Sequence, residues 1–557
     1  MVRLTCLLLA LLLTLSAFSQ ATTENQKLES LCKVWGFLKY HHPEVTKGKI
    51  DWDQQLIKMI PAVISSKDKN DLSNLYLDWI GSLGKVRTCR KSQNTVIPDS
   101  LKYNLNIDFI RDKNLFSDSL IEILDHIYTN RSRKTNYNTN NKFGNWPNSY
   151  EDKQPYEGMV FPGMEYRLLS LFRFWNVINY YSPNKYLIGE DWNAVLSEMI
   201  DKFKNTRDTL DYHLALAELT AKTNDGHCCL TTGFGLKYFG HHLVPFNSKI
   251  IDDKAVVMGF YNDSLSKLDD IRHGDVILVI DDKSIPDIIA KSSKYLGSST
   301  INYKLYRIAW YMFNGNSDSA KITYDRGGNE YQKWIHRYWF KDLHVAAKNY
   351  YYNYLNDTNA LVKILKGKIG YINMGKLQRS DVSRVMKQVM PMDAIIFDLR
   401  NYPNETSRKI AGYLSEKRKS AAITTSPLKG NPGVFEKSWQ IKNGSNISHY
   451  YKGKVILLVN ELTISQSEYT CMTFQALTKT TVIGSQTAGA DGDIAYFTFP
   501  GGYKTYFTSI GIFYPDGRQT QRIGIVPDIK VEQTIEGIAA GKDETLDRAI
   551  EYINTGK

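Results

Sequence analysis

A serine lies where a buried strand is predicted to give way to a helix. In "VILLVNELTISQSEYTCMTFQAL" the apolar run predicts the strand, and Ser467 stands in the first turn of the helix that follows. Backbone N–H groups at a helix start are unpaired, and the helix dipole is positive there. The N–H of Glu468 is therefore placed to hold an oxyanion formed when the Ser467 hydroxyl attacks a carbonyl carbon. The same residues also fit an ordinary helix cap.

A histidine that can act as the base for this serine lies much earlier in the chain. His227 ends the segment "TNDGH", and the matching place in an earlier, similar stretch holds Arg87, 140 positions before it (227 − 87). A neutral imidazole has an ordinary pKa of about 6.5, so it accepts a hydroxyl proton near neutral pH. A buried structural histidine is the other interpretation.

The other histidines and the cysteines predict no metal site. His41-His42 and His241-His242 are sequence neighbours, so the two rings of each pair point in different directions. The spacing of Cys228 and Cys229 matches no zinc signature. Five cysteines follow Cys6, an odd number, so at least one thiol is predicted to lack an intrachain partner.

The first half of the chain contains two similar stretches. A constant offset of 140 positions (175 − 35) relates Trp35 to Trp175, Pro43 to Pro183, Asp51-Trp52 to Asp191-Trp192, Met59-Ile60 to Met199-Ile200, and Cys89 to Cys229. Their apolar residues have helical spacing, and Asp51 and Asp191 are predicted N-caps. We interpret them as a duplicated helical unit, joined by the Asn-rich linker "NRSRKTNYNTNNKFGNWPNSYED".

The second half changes to strands. "KAVVMGF" and "DVILVI" predict short strands, and "DSLSKLDDI" predicts a short helix between them. From Gly367 onward, strands such as "KIGYINM", "DAIIFDLR" and "KVILLVN" alternate with helices. Continuous β-branched runs alternating with helices predict an α/β core.

The second half resembles the tail-specific peptidase family, which includes the tricorn-protease core. Four motifs carry the resemblance: "ISQSE" around Ser467, "VIGSQTAG" at Val482–Gly489, "GIVPDIKV" at Gly524–Val531, and "DLRNYPNE" from Asp398. The segment before them resembles a PDZ domain at Gly274-Asp275, where such domains bind an extended peptide. The resemblance implies an α/β multidomain protein with helical N-terminal repeats, a PDZ-like β domain and a crotonase/ClpP-like α/β catalytic core.

The resemblance also implies roles for individual residues. Ser467 corresponds to the nucleophile, and His227 to the base that the tricorn-like branch takes from a segment preceding the PDZ unit. Gln521 occupies the place of the acid that orients this histidine. The backbone at Asn404 and Glu405 corresponds to the oxyanion loop, where relatives have a glycine pair. The general-base lysine of the bacterial branch has no counterpart in "AGADGDIAY".

The predicted domains follow from these patterns. Arg3, a short apolar run and "AFSQ" predict a signal peptide over residues 1–19, cleaved near Ser19 or Gln20. The helical copies with their linker occupy 20–150 and 151–240, the PDZ-like domain 241–345 and the catalytic core 346–557. We expect an exported protein, periplasmic or secreted, without a stable membrane span.

The predicted function is hydrolysis of peptide bonds in proteins or peptides by a serine endopeptidase that needs no cofactor or metal. The net charge is +12, but the Lys and Arg residues are scattered among acidic residues, and no nucleic-acid-binding module is recognised. Nucleic acid is therefore not an expected partner. A non-catalytic ligand- or peptide-binding protein on the same scaffold is one alternative. An esterase that uses the same nucleophile is another.

Overall fold

The computed structural model describes residues 22–88, 97–132, 156–231, 234–339, 341–343, 360–445 and 448–557. The predicted signal peptide, Cys89 and most of the Asn-rich linker lie outside the described residues. The four described cysteines, Cys32, Cys228, Cys229 and Cys471, are free thiols. Among the described residues, no helix combines the length and apolar character needed to cross a bilayer.

The N-terminal region is helical. Its helices are α1 (Glu24–His41), α2 (Trp52–Ser65), α3 (Lys69–Ser82), α4 (Asp118–Thr129), α5 (Met164–Tyr181), α6 (Trp192–Lys204), α7 (Thr209–Ala221) and α8 (Phe234–Phe239). The predicted caps are confirmed, because the Asp51 and Asp191 carboxylates accept the N–H groups of Gln54 and Asn193. Each such cap stabilises its helix by about 1 kcal/mol.

The two similar stretches make the same buried contacts. Trp35 and Trp52 each donate the indole N–H to the other's backbone carbonyl, at 2.9 and 3.1 Å. Trp175 and Trp192 do the same at 2.7 and 3.0 Å. These matched pairs fix the first helix of each stretch against the second, and they support the predicted duplication.

The middle region is an antiparallel sheet with short helices. Its elements are β1 (His242–Leu243), β2 (Phe246–Ile251), β3 (Lys254–Phe260), α9 (Asp263–Leu268), β4 (Val276–Ile280), β5 (Lys283–Ser284), α10 (Ile285–Ser293), α11 (Ile301–Tyr311), β6 (Ser319–Arg326), β7 (Asn329–His336) and β8 (Tyr338–Trp339). The main strand order is β2-β3-β4-β6-β7, with β5 paired to β4. Helix α11 packs against the edge strand β2. The PDZ-like assignment of this region stays a prediction.

The C-terminal region contains the predicted α/β core. Its elements are β9 (Val362–Leu365), β10 (Ile369–Asn373), α12 (Val382–Val389), β11 (Ala394–Asp398), α13 (Ser407–Leu414), β12 (Lys419–Pro427), β13 (Phe435–Asn443), β14 (Lys454–Val459), α14 (Gln466–Leu477), β15 (Thr480–Gly484), β16 (Ile494–Phe499), β17 (Tyr503–Thr508), β18 (Gly511–Phe513), β19 (Ile529–Lys530), α15 (Ile535–Ala539) and α16 (Glu544–Thr555).

The main sheet of this core brings the motif segments to one edge. Its order is β19-β15-β14-β11-β10-β9, and all neighbours are parallel except β9 and β10. Strand β11 is buried along its whole length, and only Lys454 of β14 is exposed, as their apolar sequences predict. The carboxyl ends of β11, β14 and β15 therefore lie side by side, where parallel α/β sheets place their functional loops.

A hairpin from the C-terminal core is buried in the helical region. Strands β16 and β17 contribute Phe497, Phe499 and Phe507 to the same apolar cluster as the N-terminal helices. The ring of Phe174 in α5 lies with its centroid 5.4 Å from that of Phe497. The segments 151–240 and 346–557, predicted as separate domains, therefore share part of one core.

Candidate active site

The turn between β14 and α14, residues 460–465, is fixed by hydrogen bonds within the turn and by one to the end of β11; we refer to it as the serine turn. The Asn460 N–H donates to the Thr463 hydroxyl at 3.1 Å, and the Leu462 N–H donates to Asn460 Oδ1 at 2.9 Å. The Thr463 hydroxyl in turn donates to the carbonyl of Leu399, at the end of β11, at 2.8 Å. The strand-to-helix geometry predicted from the sequence is confirmed.

Ser467 lies in the first turn of α14, as predicted, but its side chain is enclosed. The residue is 0% exposed, and its hydroxyl donates to the backbone carbonyl of Asn401 at 2.8 Å. The Ser467 proton is therefore already engaged, and a carbonyl acceptor does not remove it. This environment does not suit a nucleophile, so the catalytic role predicted for Ser467 is not supported by its surroundings.

Ser465, two residues earlier, has the contrasting environment. It is the N-cap of α14, is only partly buried, and has the unusual backbone angles φ 55° and ψ −115°. Ser465 and Glu468 form a capping box, in which the Ser465 hydroxyl faces the Glu468 N–H and the Glu468 carboxylate accepts the Ser465 N–H at 3.2 Å. A non-glycine residue at positive φ costs on the order of 1–3 kcal/mol, and such strain is often found at functional sites. The sequence reasoning missed this residue, although "SQSE" has the spacing of a capping box.

The capping box also changes the role predicted for the Glu468 backbone. Its N–H points at the Ser465 hydroxyl oxygen, so it can stabilise an alkoxide on Ser465. The sequence reasoning had instead assigned it to an oxyanion beside Ser467.

The Glu468 carboxylate is buried and accepts four hydrogen bonds. Its donors are the Thr487 hydroxyl at 2.5 Å and the N–H groups of Gly489, Ala490 and Ser465 at 2.8, 3.0 and 3.2 Å. Burial raises the pKa of Glu468 to about 7, and the hydrogen bonds oppose that rise. The nearby Asp491 carboxyl is also buried, and burial together with the Glu468 charge holds its pKa well above the ordinary value.

His227 is oriented by a hydroxyl that bridges to a carboxylate. The Thr508 hydroxyl donates to Asp225 Oδ1 at 2.9 Å and lies 2.9 Å from His227 Nδ1. Because the single Thr508 proton goes to Asp225, Nδ1 must be the donor in the second bond. The neutral ring is therefore assigned its proton on Nδ1, which leaves the lone pair of Nε2 free to accept a proton.

The electrostatics keep this ring neutral at neutral pH. Burial lowers the pKa of His227 below its ordinary value, while the nearby charges of Asp225 and Asp493 oppose that shift. About 10% of the His227 side chain is exposed. The predicted base therefore has the protonation state that the role requires.

Gln521 does not contact His227, contrary to the predicted orienting role. Its side-chain N–H₂ donates to Asp225 Oδ1 at 3.3 Å and to the Ser299 hydroxyl at 3.4 Å. Asp225 also accepts the backbone N–H groups of His227 and Thr508, at 3.0 and 2.7 Å. The direct partner of the ring is thus Thr508, with Asp225 behind it. Asp225 lies within the "NDGH" segment already singled out, whereas no sequence signal pointed to Thr508.

The serine turn and the histidine turn, residues 224–227, both contact Ala490. The Ser465 N–H donates to the Ala490 carbonyl at 3.0 Å. On the other side, a Cβ placed on Gly226 would come within 2.9 Å of the Ala490 Cβ, so only glycine allows this close approach. Within the described part of the chain, no hydrogen bond joins His227 to either serine.

The predicted oxyanion loop borders the same site. Its first residue, Asn401, accepts the Ser467 hydroxyl, and the Asn404 side chain donates to the carbonyls of Gly375 and Leu377 at 2.9 and 3.2 Å. Glu405 is exposed and has φ 53°, the left-handed conformation that glycine adopts most easily. The loop thus keeps a glycine-like backbone although the residues are not glycine.

The peptide-binding role predicted for Gly274 and Asp275 does not fit their environment. Asp275 is buried and accepts two N–H groups of the Arg326 guanidinium, at 2.6 and 2.7 Å. A Cβ on Gly274 would come within 2.6 Å of the Ala539 Cα, so this turn packs against α15. The turn therefore packs the middle region against the core, and the Asp275 carboxylate is already paired.

A cavity of about 270 Å³ lies instead between β2 and α11. Apolar side chains line most of it, among them Phe246 of β2 and Leu305 and Trp310 of α11. Glu461 and Leu462 of the serine turn form part of its wall, and Glu461 is ion-paired to Lys249 of β2 at 2.8 Å. This groove therefore reaches the segment that carries Ser465.

Known proteins resemble this chain in two ways, by overall fold and by a family model that matches part of the sequence. The structure is similar to that of mature CPAF, with a TM-score of 0.56 at 12% identity over 71% of this chain and 99% of that chain. Mature CPAF complexed with lactacystin gives a TM-score of 0.55 at 13% identity, with the same coverage. No curated protein matches the sequence significantly. Residues 368–531, which contain β10 to β19 and the serine turn, match the family model described as Peptidase family S41. This segment of the chain therefore resembles peptidase family S41, and the two CPAF structures share the fold.

Proposed function

We propose that this protein is an exported serine endopeptidase with Ser465 as nucleophile and His227 as base. The observation that carries the proposal is the placement of both turns against Ala490. On one side stands a strained, partly exposed serine at a helix start. On the other stands an imidazole whose Nε2 is free to accept a proton.

The proton positions favour Ser465 over Ser467. The Ser465 oxygen faces the Glu468 N–H, and no described residue takes the Ser465 proton, whereas the Ser467 proton is bonded to Asn401. An N–H group in this position stabilises the alkoxide that forms when the Ser465 hydroxyl loses its proton. His227 Nε2 is the base to which we assign that proton.

The proposed reaction is acyl transfer to water. As Nε2 takes the proton, the Ser465 oxygen bonds to the peptide carbonyl carbon, and the carbonyl π electrons move to its oxygen. The backbone of the loop around Asn404 and Glu405 is our candidate for binding this oxyanion. His227 then returns the proton to the leaving amine as the C–N bond breaks, and water hydrolyses the acyl-enzyme. Asp225, acting through Thr508, stabilises the imidazolium formed between these steps.

The groove between β2 and α11 is our candidate for holding an extended substrate segment. Among the described strands, β2 pairs only with β3, so its other edge is available to a peptide backbone. Buried Asn247 Oδ1 and Asn314 Nδ2 line the groove, and no described group bonds to either atom. A peptide would supply both the N–H and the C=O that these atoms lack. Export is proposed from residues 1–19, which lie outside the described residues.

A non-catalytic binding protein is the second candidate. The observation that favours it is that neither serine is bonded to His227 in this structure, together with the replacement of the glycine pair by Asn404 and Glu405.

Degradation of an unfolded protein tests the proposal. We expect the wild-type protein to cleave casein, and Ser465→Ala and His227→Ala to lose cleavage while their thermal unfolding changes little. A folded wild-type protein that binds peptides but cleaves neither casein nor small esters would support the second candidate. Efficient turnover of esters without any turnover of casein would indicate an esterase.

A further inference from the structure

The Glu468 carboxylate joins the segments that must meet for the proposed reaction. One oxygen accepts the Thr487 hydroxyl and the Gly489 N–H, and the other accepts the N–H groups of Ala490 and Ser465. The bond to Ser465 holds the N-cap residue, and those to Gly489 and Ala490 hold the loop on which the histidine turn packs. No other side chain described here is bonded to both segments.

We infer that Glu468 is the positioning residue of this active site, whose carboxylate sets the distance between the Ser465 hydroxyl and His227 across Ala490. This inference rests on the proposed function and deepens it. The Glu468 carboxylate touches neither substrate nor the reacting atoms, so it acts only through the groups that it binds. An error of about 1 Å in such a placement lowers an enzymatic rate about 100-fold.

The charge of Glu468 is essential to this role. An ionised carboxylate only accepts hydrogen bonds, so it satisfies four donors at once, whereas a protonated carboxyl must place its own proton among them. The titratable groups that face it are Asp491, Cys471 of α14 and Tyr514, each of which interacts with its charge. These neighbours are acids, and none of them supplies a compensating positive charge.

The sign of the resulting pH dependence follows directly. Because burial raises the pKa of Glu468 to about 7, the carboxylate is ionised above that pH and becomes protonated below it. We therefore expect the reactivity of Ser465 to fall as the pH drops through about 7. The pKa of His227 is lowered, so protonation of the base contributes a separate fall at a more acidic pH.

The rate of labelling by a fluorophosphonate, measured from pH 5 to 9, tests this inference on the full chain. Glu468→Gln should lower the rate about 10- to 100-fold and abolish the step near pH 7, leaving only the more acidic fall of His227. Thr487→Val removes one hydrogen bond that lowers the pKa of Glu468, so it should move the step upward by about one pH unit. Thr487→Ser keeps the hydroxyl and should keep the wild-type midpoint.

The outcomes separate the two proposals. If the wild-type protein is labelled but its rate shows no step near pH 7, the positioning role is overturned while the peptidase proposal stands. The same holds if Thr487→Val leaves the midpoint in place, a result that does not depend on whether Glu468→Gln folds. If no variant and no wild-type protein is labelled at any pH, both proposals are contradicted. If Glu468 had only a structural role, Thr487→Val would change the melting temperature without moving the pH midpoint of the labelling rate.

Discussion

The serine turn and the histidine turn meet at Ala490, yet they are held in different ways. The serine turn is closed by bonds between residues two or three positions apart, such as those of Asn460. The histidine ring depends on Thr508, which lies 281 positions away in β17. The shape of the serine turn therefore depends largely on its own residues, although Thr463 and Ser465 are also bonded to Leu399 and Ala490. The orientation of the ring exists only when the helical region and the C-terminal hairpin have packed together.

The sharpest way to break this comparison is to substitute separately Ser465, at the end of the serine turn, and Ser467, in the first turn of α14. Ser465→Ala should lower the rate of casein cleavage by at least about 1,000-fold, because it removes the proposed nucleophile. Ser467→Ala should cost less than about 10-fold and destabilise the fold by about 1 kcal/mol through its lost buried hydrogen bond. Initial cleavage rates and urea unfolding of both variants measure this difference. The reverse order of effects would restore Ser467 as the nucleophile.

Asp225→Asn tests the histidine turn, and we expect it to have the next largest effect on kcat. An amide can donate to the Thr508 hydroxyl, which would then direct its proton at His227 Nδ1 and leave the proton of the ring on Nε2. We expect a fall in kcat of about 1,000- to 10,000-fold, as for the wrong tautomer in a serine triad. KM should change little. A loss smaller than 10-fold would show that Asp225 does not set the tautomer.

Thr508→Val isolates the hydroxyl between the ring and the carboxylate. The valine keeps the shape of the side chain but leaves the ring without its acceptor, so we expect a loss of about 10- to 100-fold in kcat. Thr508→Ser, which keeps the hydroxyl, should lose less. Equal rates for these two variants would contradict the bridging role.

Gln521→Ala should have the smallest effect, less than about 5-fold in kcat/KM. Its bonds to Asp225 and Ser299 are long, at 3.3 and 3.4 Å, and Asp225 has three other donors. A loss as large as that of Asp225→Asn would show that Gln521 orients the histidine after all.

The sequence predicted most of the scaffold because its signals are local. Helix caps at Asp51 and Asp191, the buried strands β11 and β14 and the helix start near Ser467 follow from spacing and polarity along a few residues. What the sequence could not supply was which side chains are enclosed.

The missed and misassigned residues share this physical cause. "SQSE" offers two serines, and the burial of Ser467 depends on Asn401, 66 positions away. Gln521 was predicted to orient His227, but its side chain reaches Asp225 and not the ring. Gly274 and Asp275 match a turn pattern, yet their packing partners, Ala539 and Arg326, come from other segments.

Mapping the residue that reacts with a fluorophosphonate tests the central claim most directly. The wild-type protein would be labelled, digested and sequenced by tandem mass spectrometry across the peptide that contains the serine turn and the start of α14. The proposed mechanism predicts a single adduct on Ser465 that is absent after His227→Ala. An adduct on Ser467, or labelling that does not depend on His227, would contradict it.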